Sequence, residues 1–398
     1  MKNLYLRIAT SYFKRSLYPL SSGDYAEILV VWSPELIRQD HGKNVLSEIE
    51  KYDGFICIPE NRPEFFQKRI QDYYNTYHQI SKSPCEGDIS NTLNFLNHIF
   101  GEQIELGIDY LQLIYLKPTQ ILPILCLVSK ERSTGKSTFL KWLKEIYEYN
   151  LTFLTNNDFT SNFNSDWSSK LLICIDEVLF KTDELTERIK YLSTTNTHKT
   201  EAKGKDKKES SFFGKFILCS NNETSFIKID ADEIRFWVIK INRYKKEDVD
   251  FLKKLIHEIP AFLYFLTNRK LSTENQSRMW FTPAQIKTKA LEKLVRYNSS
   301  KIENEIANIL LNVMESIDTE ILELCFSDLL NILNKFKLKY DAVEIKKIIR
   351  DNWELSPAKN SNKYQKITVT NDLDFYQNQA KGRYYTISKT FLAEKLMT

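Results

Sequence analysis

Short apolar runs alternate with helical patterns in the middle of the chain, between residues 116 and 270. Buried strands of a parallel sheet carry continuous apolar residues, whereas the helices between them repeat about every 3.6 residues. The alternation is typical of an α/β protein with a mainly parallel sheet. It predicts five strands, at Ile121–Val128, Leu151–Leu154, Leu171–Ile175, Phe216–Ser220 and Phe236–Ile241.

The regions on either side have different patterns. Residues 1–115 mix strand-like runs at Ala26–Trp32 and Phe55–Ile58 with helical patterns at Pro63–Gln79 and Ile89–Phe100, and we interpret them as an α+β accessory or oligomerisation region. After a predicted linker at Ser272–Met279, residues 295–398 are expected to form a winged-helix-like domain of three helices and a two-stranded ribbon. Its predicted elements are Ile302–Ile317, Ser327–Leu338, Val343–Trp353, Lys363–Thr370 and Arg383–Ile387.

Composition indicates a globular, cytoplasmic protein. Hydrophobic residues make up 42% of the 398 positions and aromatic residues 13%, enough for large packed cores. The net charge of +4 permits a nucleic-acid partner if the basic surface is local. The six cysteines are scattered without zinc-type spacing. The N-terminus lacks the apolar core of a signal peptide, and every apolar run is far shorter than the roughly 20 residues of a bilayer span, so no membrane partner is expected.

The segment Val128–Thr138 has the residue types of a phosphate-binding loop, or P-loop. A strand, a turn with Gly135-Lys136-Ser137 and a helical pattern follow one another, as in loops of the form G-x-x-x-x-G-K-[ST]. Backbone N–H groups at a helix N-terminus attract phosphate. Lys136 would contact the β- and γ-phosphates of ATP, and Ser137 would bind Mg²⁺. The candidate nucleotide-binding residues are Ser133, Thr134, Gly135, Lys136, Ser137 and Thr138.

One position departs from the usual form of this loop. Lys130 stands where the first glycine is expected, which removes the residue with the freest backbone from the entry of the loop. The alternative interpretation is a lysine-capped turn before an ordinary helix, because short motifs also occur by chance.

Polar residues follow two further apolar runs. Asp176 and Glu177 come directly after Leu171–Ile175, where the first could hold Mg²⁺ and the second could orient water for hydrolysis. The alternative is an N-cap pair for the next helix. Asn221 ends the run that begins at Phe216, and its amide could position the attacking water, although Asn is also a common turn residue.

Arg235 precedes the last predicted strand. A guanidinium group suits the charge that develops on a transferring phosphoryl group, and it often comes from a neighbouring subunit. The alternative is a structural ion pair with Asp232 or Glu233. The motifs are separated by 40 positions from Lys136 to Asp176, by 45 to Asn221 and by 14 to Arg235, and this order is more specific than any one motif.

A basic segment lies between the Asp176-Glu177 pair and Asn221. His198–Glu209 contains five lysines, three acids and a central glycine, which predicts a flexible loop. Lysine contacts with a phosphate backbone are independent of base sequence, so Lys203, Lys205 and Lys207 are candidates for DNA contact. A solvated surface loop is the alternative.

Taken together, the motifs resemble those of superfamily 3 helicases, and more closely the helicase part of phage-type primase-helicase proteins. The resemblance covers roughly residues 85–270 and rests on Ser129–Thr138, Leu171–Glu177, Lys203–Asp206, Phe216–Asn222 and Glu233–Trp237. It implies a ring-shaped homo-oligomer, expected to be a hexamer, that uses ATP and Mg²⁺ to move 3′-to-5′ along single-stranded DNA in the cytoplasm of a bacterial host. Lys203 and Lys205 would line the channel, Asn221 would be the sensor and Arg235 would act in trans. Residues 1–115 are too short for the primase domain of such proteins, so no primer synthesis is expected from this chain. A separate primase or replication protein is a candidate partner.

Two other functions use similar residues. A replication initiator or assembly factor would have the same ATPase ring without processive unwinding. A small-molecule P-loop kinase would need a lid with phosphate-clamping arginines, whereas the sequence after Asp176 offers a lysine-rich segment and Arg235.

Overall fold

The computed structural model describes residues 4–19, 25–161, 164–180, 182–200, 208–229, 233–244, 248–338, 340–370 and 374–397. The chain divides into two compact units. The first comprises Met1–Glu223 with Ile234–Thr288, and the second comprises Thr224–Glu233 with Lys289–Thr398. A ten-residue segment of the second unit therefore interrupts the sequence of the first.

The N-terminal part of the first unit contains two small sheets followed by helices. Its elements are β1 (Tyr5–Ile8), β2 (Ser11–Pro19), β3 (Tyr25–Trp32), α1 (Pro34–His41), α2 (Val45–Glu48), β4 (Glu50–Tyr52), β5 (Gly54–Ile56), β6 (Arg69–Ile70), β7 (Tyr73–Asn75), α3 (Ser90–Phe100) and α4 (Ile104–Leu116). One sheet has the strand order β3-β2-β1-β4 and the other β5-β7-β6.

The predicted helix at Pro63–Gln79 is wrong, because this segment contains β6 and β7. Asn75 shows what the helical pattern misses. Its side chain accepts a hydrogen bond from the backbone nitrogen of Ile58 at 3.0 Å and donates to the carbonyls of Ile58 and Gln67 at 3.0 Å. These contacts with distant backbone stabilise an extended conformation, which local periodicity cannot reveal.

A five-stranded sheet forms the centre of the first unit. The elements of this region are β8 (Ile124–Val128), α5 (Lys136–Tyr147), β9 (Leu151–Leu154), α6 (Asn156–Thr160), β10 (Leu172–Ile175), α7 (Asp183–Leu192), β11 (Thr197–Thr200), β12 (Lys208–Ser211), β13 (Lys215–Ser220), β14 (Phe236–Lys240), α8 (Phe251–His257) and α9 (Ile259–Asn268). The central sheet has the order β14-β8-β13-β10-β9, and every neighbouring pair is parallel. The predicted α/β sheet is confirmed, with slightly different strand ends.

Helices pack against the central sheet, and the hydrophobic core lies between the helices and the strands. Every residue of β8, β10 and β13 is buried, as expected for strands covered on both faces. Helix α4 is buried from Gly107 to Tyr115, and Trp237 of β14 stacks on Phe100 of α3 with 5.5 Å between ring centroids. Each Å² of apolar surface that these helices and the sheet bury contributes about 25 cal/mol to stability, so this packing holds α3 and α4 on the sheet.

Ser272–Met279, the predicted linker, lies within the first unit rather than between units. Asp109 of α4 is fully buried and forms an ion pair with Arg269. The same carboxylate accepts hydrogen bonds from the Ser272 hydroxyl at 2.8 Å and from the backbone nitrogen of Thr273 at 2.7 Å. The start of the segment is therefore fixed on α4.

The predicted flexible loop at His198–Glu209 is partly a β-hairpin. Strands β11 and β12 pair antiparallel, from Thr197 opposite Ser211 to Thr200 opposite Lys208. Asn164 supports the hairpin by donating to the carbonyl of Lys199 at 3.0 Å, a contact that the charge pattern does not reveal. The candidate DNA-binding residues Lys203, Lys205 and Lys207 lie outside the described residues.

The second unit has its own hydrophobic core. Its elements are α10 (Lys289–Ser316), β15 (Ile321–Leu324), α11 (Phe326–Lys335), α12 (Ala342–Lys347) with a π-helical extension (Ile348–Asn352), β16 (Asn362–Val369), β17 (Phe375–Gly382), β18 (Tyr385–Ser388) and α13 (Lys389–Met397). Across the described part of the chain, no helix is both long and apolar enough to cross a membrane.

The predicted two-stranded ribbon of Lys363–Thr370 and Arg383–Ile387 is wrong, because these two segments do not pair with each other. Strand β16 pairs with β17, whereas β18 pairs with β15. Strand β17 escapes the sequence pattern because it reads FYQNQAKG, which lacks the alternation of apolar residues, and most of its side chains are exposed.

Candidate functional site

The loop between β8 and α5 lies at the carboxyl edge of the central sheet, where open α/β sheets bind their ligands. Gly135 caps α5 in a left-handed conformation with φ of +92°. A Cβ atom at this position would lie 3.1 Å from Cε2 of Phe95, so both conformation and space favour glycine. Ser133 also has a positive φ, +55°. The loop thus bends sharply around the start of the helix.

The ammonium group of Lys136 lies at this edge of the sheet and is largely shielded from water. Its Nζ atom donates to Oδ1 of Asn221 at 3.1 Å and also hydrogen-bonds the Ser129 hydroxyl. The residue is only 7% exposed, and burial lowers the pKa of its ammonium group below the usual lysine value. Because little water screens it, the cation can interact strongly with an anion that enters the loop.

Ser137 and Asp176 meet beside this cation. The Ser137 hydroxyl, in the first turn of α5, donates to Oδ2 of Asp176, the first residue after β10, at 3.3 Å. A hydroxyl and a carboxylate this close could both bind a Mg²⁺ ion whose other ligands are water and phosphate oxygens. Among the described residues, no group of three or more His, Cys, Asp or Glu side chains could hold a metal on its own.

Glu177 follows in an unusual backbone conformation, with φ of +56°. Its N–H donates to Oδ1 of Asp176 at 3.0 Å, and its carbonyl accepts a bond from the Asn156 amide at 3.3 Å. The next residue, Val178, donates to the carbonyl of Cys219 at 2.8 Å. Surrounding bonds therefore hold a strained turn that leaves the Glu177 side chain exposed at the sheet edge.

Strand order explains why residues far apart in sequence come together. Strand β13 lies between β8 and β10, and all three are parallel. Their carboxyl ends therefore present Lys136, Asn221 and Asp176 along one edge, with Asn221 in the middle. Thr134 is also buried here, with its hydroxyl 3.3 Å from that of Ser129, whereas Thr138 belongs to the first turns of α5.

Arg235 is the predicted site residue that lies elsewhere. Its carbonyl accepts a hydrogen bond from the nitrogen of Ile124 at 2.8 Å, which puts it at the amino end of β14, beside the start of β8. A strand of five residues spans roughly 16 Å, so Arg235 lies at the edge of the sheet opposite Lys136.

Two residues that the sequence did not single out support the back of the loop. Nε2 of His98, on α3, lies 3.0 Å from the carbonyl oxygen of Thr134, and the backbone nitrogen of Tyr244 donates to the carbonyl of Ser133 at 3.1 Å. The two rings also make an edge-to-face contact, with 4.7 Å between centroids. Neither residue belongs to a motif, so only the fold could identify them.

Glu223 and Lys240 form a second unpredicted pair at the site. Glu223 is 4% exposed and follows Asn221 by two positions, while Lys240 ends β14. Oε1 of Glu223 accepts a bond from the backbone nitrogen of Lys130 at 3.3 Å and lies 3.2 Å from Nζ of Lys240. The sequence did offer one signal for this pair, because Glu223 is an acidic residue only two positions after Asn221.

The five-stranded parallel sheet and its helices are consistent with an α/β, NTPase-like fold. Residues 127–235 match a family model described as "Family of unknown function (DUF5906)", a segment that runs from β8 to Arg235. No protein with a curated description matches the chain.

Solved structures share the fold over nearly the whole chain. A structure titled "The apo structure of NrS-1 C terminal region (305-718)" has a TM-score of 0.59 at 15% identity, covering 96% of this chain and 95% of that one. "The A form apo structure of NrS-1 C terminal region-CTR" has a TM-score of 0.59 at 16% identity, with 96% of both chains covered. At this identity the likeness concerns the fold alone.

Proposed function

We propose that the chain is an ATPase of the P-loop type. The observation that carries the proposal is the meeting of Lys136, the Ser137–Asp176 pair and Asn221 at one sheet edge, next to a left-handed glycine. These groups suit a triphosphate with Mg²⁺, because a shielded ammonium group, a hydroxyl and a carboxylate are the groups that such a ligand needs.

Each residue has a distinct role in this proposal. The N–H groups of Ser133–Thr138 and the Lys136 ammonium would hold the phosphates, while Ser137 and Asp176 would hold Mg²⁺. The metal would neutralise charge on the transferring phosphoryl group. Glu177 would orient the attacking water and Asn221 would position it against the γ-phosphate.

Arg235 would complete the site of a neighbouring subunit. It lies at the opposite edge of the sheet from Lys136 in its own chain, too far away to serve the same loop. A head-to-tail contact between copies would bring the two edges together, and such contacts close into rings. We therefore propose a homo-oligomeric ring, for which a hexamer is the expected size.

The work of this ring would be translocation on single-stranded DNA during replication of a phage or mobile element. Lys203, Lys205 and Lys207 follow β11 and would contact the DNA backbone, while the second unit would act as a winged-helix-like accessory domain. A separate primase is a suitable partner. The superfamily 3 motif order and the shared fold of the NrS-1 C-terminal region support this proposal.

ATP hydrolysis and strand displacement test the proposal directly. Purified wild-type protein is expected to hydrolyse ATP faster with single-stranded DNA and to unwind a forked duplex, whereas Lys136→Ala should do neither. Lys141→Met, which removes an exposed lysine from the same helix, is the control and should retain both activities. Hydrolysis without unwinding would favour a replication initiator or assembly factor, and absence of ATP binding would refute the motor.

A further inference from the structure

The first residues of the loop between β8 and α5 are held by a buried acidic side chain. Lys130 occupies the position at which the usual motif has a glycine, and its backbone N–H is 3.3 Å from Oε1 of Glu223. Because this bond involves only the backbone of Lys130, it holds the chain in place whatever side chain stands there. The contact thus fixes the loop at the position where the motif departs from its common form.

The carboxylate of Glu223 is poorly hydrated and needs a counter-charge. Glu223 is 4% exposed, and its Oε1 atom lies 3.2 Å from Nζ of Lys240, whose side chain is 52% exposed. Strands β13 and β14 flank β8 in the sheet, so the two residues approach each other across the chain that leaves β8. The ion pair therefore spans the entry of the loop from both neighbouring strands.

We propose that Glu223 and Lys240 are positioning residues for the phosphate loop, which hold its entry through the Lys130 N–H and keep the local charge balanced for a polyphosphate. The proposal rests on the function proposed above. The carboxylate holds the loop, and Lys240 offsets part of a negative charge that repels phosphate.

This division of roles predicts a specific pattern of nucleotide affinity. Lys240→Met removes the cation that lies 3.2 Å from the buried carboxylate, so the Kd for a fluorescent ATP analogue, mant-ATP, should rise about ten-fold. Adding Glu223→Gln removes the charge and keeps an acceptor for the Lys130 N–H, so the double variant should return to within about three-fold of wild type. Glu223→Ala removes the acceptor as well, and Lys240→Met should not rescue it.

Binding of mant-ATP by titration, together with melting temperature, tests the inference. Lys141→Met and Glu145→Gln, which change exposed charges on α5, serve as matched controls and should bind like wild type. If the pair were purely structural, Lys240→Met and Glu223→Ala would each lower the melting temperature. The double variant, Lys240→Met with Glu223→Gln, would then show no recovery of the Kd for mant-ATP.

Three outcomes separate the possibilities. The inference is overturned if Lys240→Met binds like wild type, or if the double variant binds no better than Lys240→Met. Failure of wild-type protein to bind mant-ATP would refute both the inference and the proposed function. Binding by wild type that is lost in Lys136→Ala, with no effect of the Glu223 and Lys240 changes, would refute the inference alone.

Discussion

Two buried lysines show how side-chain partners, rather than burial, indicate function. Burial lowers the pKa of both Lys136 and Lys215. Lys215 begins β13 at the amino edge of the sheet, where its Nζ donates to the carbonyl of Phe213 at 2.7 Å and also to that of Pro118. Lys136 instead bonds side-chain oxygens at the carboxyl edge. Carbonyl partners fit a structural role, whereas polar side chains at a ligand edge fit a binding role.

Lys215 should make stability depend on pH in the neutral to alkaline range. Burial lowers its pKa from 10.5 to about 7, so above pH 7 the native chain loses a proton that the unfolded chain keeps until pH 10.5. The unfolded state then binds more protons, and the free energy of unfolding should rise with pH in this window.

Urea unfolding of wild type and Lys215→Met at pH 6.5, 7.5 and 8.5, roughly spanning the lower part of this window, gives the measurement. The difference between the two proteins should change in favour of wild type as pH rises. An identical pH dependence in the two proteins would show that Lys215 keeps an ordinary pKa.

At the scale of elements, Gly107 gives helix α4 an unusual constraint. Replacing glycine by alanine inside a helix normally stabilises it by about 1 kcal/mol. Here a Cβ atom would overlap the ring of Phe100, so Gly107→Ala should instead destabilise the protein by about 1–3 kcal/mol. Gly107→Ala in a Phe100→Leu background should cost less. Thermal unfolding checks both, and a higher melting temperature for Gly107→Ala alone would contradict the packing.

The hairpin β11–β12 leads to a prediction about DNA. If Lys203 and Lys205 contact phosphates, replacing each by Glu should reduce the slope of log affinity against log salt for single-stranded DNA by about 0.7. Fluorescence anisotropy at several salt concentrations measures this slope. Lys141→Glu makes the same charge change on α5 and should leave it unaltered; equal effects of all three changes would point to net charge alone.

The sequence revealed the elements that have a strong local pattern and missed those that depend on distant partners. The five central strands are mostly apolar runs, so their existence and parallel arrangement were predictable. Strands β6, β7 and β17 lack such a pattern and are held by contacts with remote backbone or neighbouring strands.

The candidate site divides in the same way. Gly135, Lys136, Asp176 and Asn221 belong to motifs, whereas the contacts of His98, Tyr244, Glu223 and Lys240 depend on which strands and helices become neighbours. Local sequence indicates which groups could do chemistry, but strand order decides which side chains support them.

At the scale of the whole molecule, the parallel sheet separates the proposed site into two halves. The carboxyl edge presents Lys136, Ser137 and Asp176, while the amino edge presents the start of β14 after Arg235. A monomer cannot join these edges, since the sheet itself lies between them. If Arg235 takes part in hydrolysis, activity must therefore depend on contact between copies.

Mixing two inactive variants tests this dependence. Arg235→Ala subunits keep an intact Lys136 site and lack the guanidinium group, and Lys136→Ala subunits have the reverse defect. In a randomly mixed head-to-tail ring with equal amounts of each, about a quarter of the interfaces would combine an intact loop with an intact arginine, so ATPase activity should recover to about that fraction of wild type. Subunit exchange must be verified by fluorescence energy transfer between differently labelled variants. Exchange without recovery would mean that Arg235 does not act across an interface, because a guanidinium group supplied by a neighbour would restore activity wherever the two intact halves meet.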